Sequence, residues 1–433
     1  MHTKPDPFRP FARARALVTY AFVGASILAL STAYIASDRL AIGFTTQQQP
    51  ASAPKAPATK DAAPKADKPA ETPASFRFGR AKPIPRTPGT FRLMTYNIEN
   101  LFDDKDDPTL SGKSDDKDMT KPADHCKNAA DAIRAADPDV IALQEIESYD
   151  ALIQFRDTYL KGMGYDHVVS IDSGDPRGIE NAVLSRFPLS DPKVYRDMPL
   201  GGVHPDLFGN EKNDYAGQPI AFKRSPLRVT VEIPEGKVAE LIKQQQANPD
   251  PSKPAAQPAT AKTYKLTLFV AHQKSGRGGD YWREKESAKT VELAKELFAK
   301  DPKANIIILG DFNAMTRDES VKIYERAGYT DLFSDAADRD LSAITHASNR
   351  RIDHVLYNPA AANEVVLASR FVLATATRPE RTDFRTTPPP KGYASDHFPV
   401  VVDIKPIDET ASPASTPVSP APPAASPSKA PGR

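Results

Sequence analysis

The stretch NIIILGDFN, residues 305–313, is the most informative in the chain. Four consecutive large apolar residues, Ile306 to Leu309, stop at a glycine, a length and a stop that suit a buried β-strand better than a helix. An acid and an amide, Asp311 and Asn313, come directly after it. Polar groups at strand ends are where a rigid scaffold presents chemistry, and the same grammar recurs in both directions along the chain. The strand pattern Phe91–Ile98 ends in Asn97 and Glu99, and Val140–Leu143 runs into Gln144-Glu145. Glu180-Asn181 stand before Ala182-Val183-Leu184, and Lys265–Ala271 leads to His272-Gln273-Lys274-Ser275. Arg351-Ile352-Asp353-His354 opens a run to Tyr357, and Ser395-Asp396-His397 precedes Pro399–Ile404. Helical spacing over 124–136, 282–299 and 318–327 lies between these strands. Strands interleaved with helices predict an α/β layered fold, sheets covered by helices.

The chain has 433 residues and 42 prolines, and the prolines mark its boundaries. Residues 38–88, rich in Ala, Pro and Lys, and 406–433, rich in Pro, Ala and Ser, hold too few apolar side chains to offset the entropy of ordering them. A similar stretch within about 236–262, centred on Gln244–Lys262, reads as a surface-loop insertion, which leaves a single folded domain over 89–405. Residues 1–15 are basic, with Lys4, Arg9, Arg13 and Arg15, and residues 16–37 are uncharged and largely apolar. That run has about the ~20 residues a bilayer-spanning helix needs. Positive charge on its N-terminal side keeps that end in the cytoplasm and sends the rest across. A cleaved signal segment ending near Ser31-Thr32-Ala33 is the competing reading. Both export the domain, either anchored in an inner membrane facing the periplasm or released. The single cysteine, Cys126, excludes an intramolecular disulfide framework.

Overall charge is +1, but residues 1–90 carry 13 Lys/Arg against 5 Asp/Glu and residues 406–433 balance, so the domain is net −7. An acidic domain does not attract polyanions unaided, and a bound cation would offset part of that charge. The strand-end inventory matches what metal-assisted phosphoester hydrolysis requires. Hard oxygen ligands suit Mg²⁺ or Mn²⁺, a base must act on the attacking water, and cationic or amide donors must meet the phosphoryl oxygens. His272, His354 and His397 lack the spacing of a zinc hydrolase, and His354 reads as structural.

Seven such clusters in a fixed order resemble the endonuclease/exonuclease/phosphatase superfamily. TYNIEN, LQEIE, ENAVLSRFP, AHQKS, GDFN, RIDHVL and SDHFPV are similar to that family's successive motifs over about Phe91–Ile404. The flavour of MTYNIENLFD, DSGDPRGI and LSRFP is most similar to bacterial members of extracellular nuclease type. The resemblance implies a four-layer α/β/β/α sandwich with the site at the rim of its two sheets. It implies metal contacts from Asn97, Glu99, Glu145 and Asp396, and placement of water and phosphate by Asp311 and Asn313. A His397–Asp353 pair would engage the scissile phosphate. His272 would be the acid for the leaving oxygen, oriented by Glu180, or by Asn181 in its place. Arg177, Asn181, Lys274 and Ser275 are expected phosphate contacts. The implied activity is that of a Mg²⁺- or Mn²⁺-dependent phosphodiesterase, an exported nuclease acting on DNA or RNA. A sphingomyelinase-like or inositol-phosphate phosphoesterase is the alternative, and a non-catalytic phosphate-binding protein a third reading of another class. No protein partner is implied, the chain is expected to be a monomer, and contact with a membrane would come through an uncleaved N-terminal helix.

Overall fold

The computed structural model describes residues 74–407 apart from 109, 111–115, 117, 209, 249–260 and 384–385. Residues 1–15, the apolar run 16–37, most of the expected linker and the tail from 408 lie outside the described residues. Among those described, no helix is long and apolar enough to cross a membrane.

In chain order the first half contributes β1 (Phe91–Leu101), α1 (Ala123–Ala136), β2 (Val140–Ile146), α2 (Tyr149–Tyr159), β3 (His167–Ser170), β4 (Glu180–Ser185) and β5 (Leu189–Lys193). Short strands β6 (Pro199–Val203), β7 (Leu207–Phe208), β8 (Glu211–Lys212) and β9 (Pro219–Ala221) follow. The second half contributes β10 (Leu227–Ile233), α3 (Glu235–Ala247), β11 (Tyr264–His272), α4 (Asp280–Lys300), β12 (Asn305–Asp311) and α5 (Glu319–Arg326). It closes with β13 (Thr330–Asp331), β14 (Asp353–Tyr357), β15 (Val365–Val372) and β16 (Val400–Ile404).

Two six-stranded sheets form, in the orders β15-β16-β1-β2-β4-β3 and β13-β14-β12-β11-β10-β5. Alternation along the central strands decides the layers, because successive side chains point to opposite faces. Leu93, Val140 and Ala142 from one sheet meet Val229, Leu268 and Leu309 from the other in the core between them. The intervening residues Met94, Ile141 and Leu143 pack on Ala129 and Ile133 of α1 and Phe155 of α2. On the other sheet Phe269, Ile306 and Ile308 pack on Ala294 of α4 and Val321 of α5. The result is the four-layer α/β/β/α sandwich.

Strand direction then gathers the polar strand ends. Each sheet is built around one parallel pair, β1 with β2 and β11 with β12. Their C-terminal ends carry Asn97, Glu99, Glu145, His272 and Asp311 to one rim. Neighbouring β14 and β16 run antiparallel to these pairs, so their beginnings reach the same rim and bring Asp353 and the loop Asp396-His397. Across one sheet His272, Asp311 and Asp353 stand in register on adjacent strands.

Two expected boundaries need correction. Composition carries the linker to residue 88, yet residues 74–88 lie on the domain. Ser75 bridges to Thr377 and Arg80 to Leu373, and Phe78 is buried with its ring 5.6 Å from that of Phe398. One buried aromatic, Phe78, in a Pro-rich arm supplies the apolar anchor that composition averaged away. The expected insertion loop begins as helix α3, whose Val238 and Ile242 enter the inter-sheet core. Gln245 Nε2 donates to Gly89 O at 2.6 Å, tying that helix to the start of β1.

Candidate active site

Local backbone geometry aims the strand-end side chains. Glu99 (φ 54°), Asn100 (φ 51°), Glu145 (φ 63°) and Asn313 (φ 48°) are non-glycine residues in the left-handed region. Such conformations cost of order 1–3 kcal/mol each and concentrate at functional sites. The first three coincide with breaks in strand register, between Asn97 and Leu101 on β1 and between Gln144 and Ile146 on β2. A bulge there turns carboxylates out of the ladder and into the rim. Gly310 solves a different problem. A Cβ on it would sit 2.1 Å from Ala271 O, so any side chain would wedge β11 from β12 beside His272 and Asp311.

These features surround an open cleft whose lining residues are all polar or charged. Four carboxylates face it, those of Glu99, Glu145, Asp311 and Asp396. Interleaved with them are Arg177, Arg224, His272, His346 and His397, and Asn100, Ser275 and Asn313 complete the lining. Glu145 Oε2 accepts from Asn100 N at 2.9 Å and lies 3.8 Å from Arg177 Nη2. Glu99 accepts from Tyr393 Oη at 2.7 Å, and Lys121 Nζ donates to Glu99 O at 2.8 Å. Asp311 holds Asn313 through its backbone N–H at 2.8 Å and side-chain amide at 3.1 Å, and receives Asn97 Nδ2 at 3.2 Å.

Charge crowding perturbs these acids. Burial, reinforced by Asp396, pushes Glu99 up to about 7 despite Lys121 and Tyr393. Asp311 rises to about 6, chiefly through burial, with Asp353 adding to it and His397 opposing. Burial also works against charge on His397, but Asp353, Asp311 and Asp396 outweigh it and hold the imidazole well above its usual value. Asp353 does so in direct contact, with Oδ1 and Oδ2 at 3.0 and 2.9 Å from His397 Nδ1. His272 behaves oppositely. Burial, then Arg224 and Arg177, drives it well below its usual value, so it is neutral. Arg224 Nη1 donates to its Nε2 at 2.8 Å, and a nitrogen that accepts carries no proton to give.

The crowded carboxylates fit a hard divalent cation. Such ions take carboxylate oxygen and water, and Glu99, Glu145 and Asp396 offer it at the cleft surface. Among the described residues, His346–Asp396–His397 and Asp311–Asp353–His397 bring potential ligand atoms within 4.8 Å of one another. The second is already spent on the buried His397–Asp353 hydrogen bond, so Asp353 is not a free ligand.

Among residues singled out from sequence, Glu99, Glu145, Arg177, His272, Ser275, Asp311, Asn313, Asp396 and His397 line the cleft, with Asp353 directly behind. Others depart from expectation. Glu180 makes its hydrogen bond to Ser170 Oγ, leaving His272 to Arg224. It lies where β4 pairs with the bulge of β2, one strand too far out. Asn181 is buried and donates to Ser225 O at 3.1 Å, away from the cleft. Lys274 Nζ turns back onto Ser275 O at 2.9 Å. Asn97 is buried beneath the cleft, its carbonyl spent on Glu99 N at 3.0 Å and its amide on Asp311, so it shapes the floor. His354 is structural as expected, with Nδ1 2.7 Å from Asp331 Oδ2 and Nε2 2.9 Å from Ala314 O. Sequence reading missed Asn100, Arg224 and His346. Arg224, in KRSP just before β10, follows only the short run Ile220–Phe222, and His346, in ITHAS before RIDH, follows no strand pattern, so neither carried a clear strand-end signal.

Comparisons bear on this geometry. The model of the Endonuclease/Exonuclease/phosphatase family matches residues 94–397. Similar solved structures include the human Nocturnin catalytic domain with bound sulfate, at 14% identity over 74% of this chain and 95% of that one, TM-score 0.43. Truncated Caenorhabditis elegans TDP2 is 16% identical over 73% and 97%, TM-score 0.41. A mannosyl-6-phosphatase of Bacteroides thetaiotaomicron is 16% identical over 72% and 99%, TM-score 0.41. Among curated proteins, none matches by sequence.

Proposed function

This chain belongs to the endonuclease/exonuclease/phosphatase family and is a metal-dependent phosphoester hydrolase, and we propose that it is a nuclease cleaving phosphodiester bonds in DNA or RNA. The observation that carries this reading is the lining of the cleft. Among the described residues every lining side chain is polar or charged, which suits recognition of phosphate better than of a lipid's apolar portion. Recognition must run through phosphate, the sequence-independent part of a nucleic acid.

Residue roles follow from the contacts. Glu145, Glu99 and Asp396 would hold a Mg²⁺ or Mn²⁺ ion, which supplies charge stabilisation to the phosphoryl oxygens when bound. Arg177 and Arg224 add fixed positive charge, and charged His397 presents Nε2–H toward the cleft. Asp353 fixes the tautomer and orientation of that ring. Asp311, raised to about 6, is poised to accept a proton from water near neutral pH. Neutral His272, held by Arg224, orients rather than protonates. We further place the domain outside the cytoplasm, delivered by the apolar run of residues 16–37.

The test is hydrolysis of supercoiled plasmid, RNA, sphingomyelin and inositol polyphosphates by the chain, with Mg²⁺, Mn²⁺ or EDTA. Nicking of plasmid or cleavage of RNA that EDTA and His397→Ala both abolish supports the nuclease. Turnover of a lipid or inositol substrate alone overturns the substrate and keeps the mechanism.

A further inference from the structure

His346 lines the cleft, has no part in the mechanism above, and is held by an unusually complete set of contacts. Its Nδ1 receives the Ser348 backbone N–H at 3.0 Å and lies 2.6 Å from Ser348 Oγ. That hydroxyl in turn accepts Arg350 Nε at 2.7 Å, so its own proton points at Nδ1. A nitrogen that accepts a backbone N–H carries no hydrogen, and the ring's proton therefore sits on Nε2. Nε2 lies 3.2 Å from Asp396 Oδ2. The hydrogen bonds run in one direction, from Arg350 through Ser348 and the imidazole to the carboxylate.

The backbone makes this arrangement rigid. Thr345 N and His346 N both donate to Arg350 O, at 3.2 and 3.1 Å, and Asn349 N returns to His346 O at 3.0 Å. Asn349 takes a left-handed conformation (φ 62°) to close the turn. Ala347 N donates to Asp396 O at 2.7 Å, and residue 346 bridges to residue 397. The imidazole also meets the His397 ring edge to face, centroids 4.6 Å apart. One turn thus grips both Asp396 and His397.

Direct ligation of a cation by His346 conflicts with this geometry. Binding through Nε2 would need the proton on Nδ1, where Ser348 N–H already points. We propose that His346 is a positioning residue, a hydrogen-bond donor that fixes Asp396 for the divalent cation. Carboxylates that bind metals are themselves held by outer partners, whose loss typically costs 10–100-fold in affinity. This rests on the reading of Asp396 as a cation ligand.

Two substitutions separate hydrogen bonding from packing. His346→Phe keeps a ring beside His397 and removes both polar contacts. His346→Gln offers a carbonyl to Ser348 N–H and an amide N–H to Asp396, reproducing the donor and acceptor pattern. Mn²⁺ and Mg²⁺ binding would be measured by calorimetry on the full chain, with melting temperature followed alongside and Asp396→Asn as reference. Expected is an affinity loss of about tenfold or more in the Phe variant, with the Gln variant restored to within about threefold. If Asp396→Asn weakens binding while the Phe variant binds like the parent, the positioning role is overturned. A Gln variant as weak as Phe also overturns it, because ring packing alone then matters. If Asp396→Asn binds the cation normally, both this role and the underlying ligand assignment fall.

Discussion

Replacing Asp353 by Asn removes a single charge from the most enclosed ionic contact of the site. His397 Nδ1 and Asp353 Oδ2 are 2.9 Å apart, with side-chain exposures of 7% and 2%. Breaking a buried pair leaves the survivor uncompensated at a cost of about 3–5 kcal/mol. Here the survivor can shed its proton, so the loss of stability should fall below that range. The sign follows from the direction of the shift. His397 is raised in the folded chain, so the pair contributes full stability below the imidazole's unfolded value and loses it as pH rises through the folded one. With Asn, burial acts with less opposition and the folded value drops, although Asp311 and Asp396 still support some charge. Catalysis suffers more than stability. A positioned acid–base group contributes about 10²–10⁴-fold, equivalent to about 2.7–5.4 kcal/mol of barrier. Steady-state hydrolysis of bis(p-nitrophenyl) phosphate at saturating Mg²⁺, from pH 5 to 9, reads this directly. Expected is a fall in kcat of at least a hundredfold near pH 8, little change in KM, and an alkaline limb displaced to lower pH. A variant within threefold of the parent at pH 8, with an unmoved profile, would refute the role assigned to the pair.

Other consequences concern stability and the cation. Phe78→Ala should cost about 3–5 kcal/mol, as for other buried aromatics, seen as a lowered denaturation midpoint; an unchanged midpoint would return residues 74–88 to the linker. Asp331→Asn should lower the denaturation midpoint, by less than the about 3–5 kcal/mol of a stranded buried charge because His354 too can shed its proton, while folded protein keeps its activity. His354 is raised and Asp331 lowered, so that pair's stabilisation is lost both as pH falls through the acid's folded value and as it rises through the imidazole's. Because Glu99 stands at about 7 and Asp311 at about 6, Mg²⁺ binding at pH 6 should release protons. Calorimetry in two buffers of different ionisation heat would show this as a buffer-dependent enthalpy, and equal enthalpies would contradict it.

Layering and most of the rim were legible in sequence because burial and function left separate signals. Ile306–Leu309, stopped by a glycine, suits a buried strand better than a helix, and Asp311 and Asn313 directly after it stand at the end of that strand. Glu99, Glu145 and His272 were found in the same way. What stayed hidden depends on partners distant in sequence. Arg224 matters because β10 lies beside β11 and sets it against His272, a pairing no local pattern announces. His346 matters through a turn folded onto residues 396–397. Glu180 stands at a strand end as the resemblance requires, but its position opposite the β2 bulge turns it to Ser170 and away from His272. Helix α3 escaped because its Gln-rich C-terminal half resembles the Pro/Ala stretch that follows, with Val238, Leu241 and Ile242 too few to outweigh that composition.

The most direct measurement couples cation binding to turnover in one sample. Mg²⁺ affinity and phosphodiester hydrolysis would be determined together for the parent chain and Glu145→Gln. A joint loss, with melting temperature retained, is the result expected if the carboxylates of this cleft hold the ion that the hydrolysis requires. Full hydrolysis by a Glu145→Gln chain that no longer binds Mg²⁺ would contradict it.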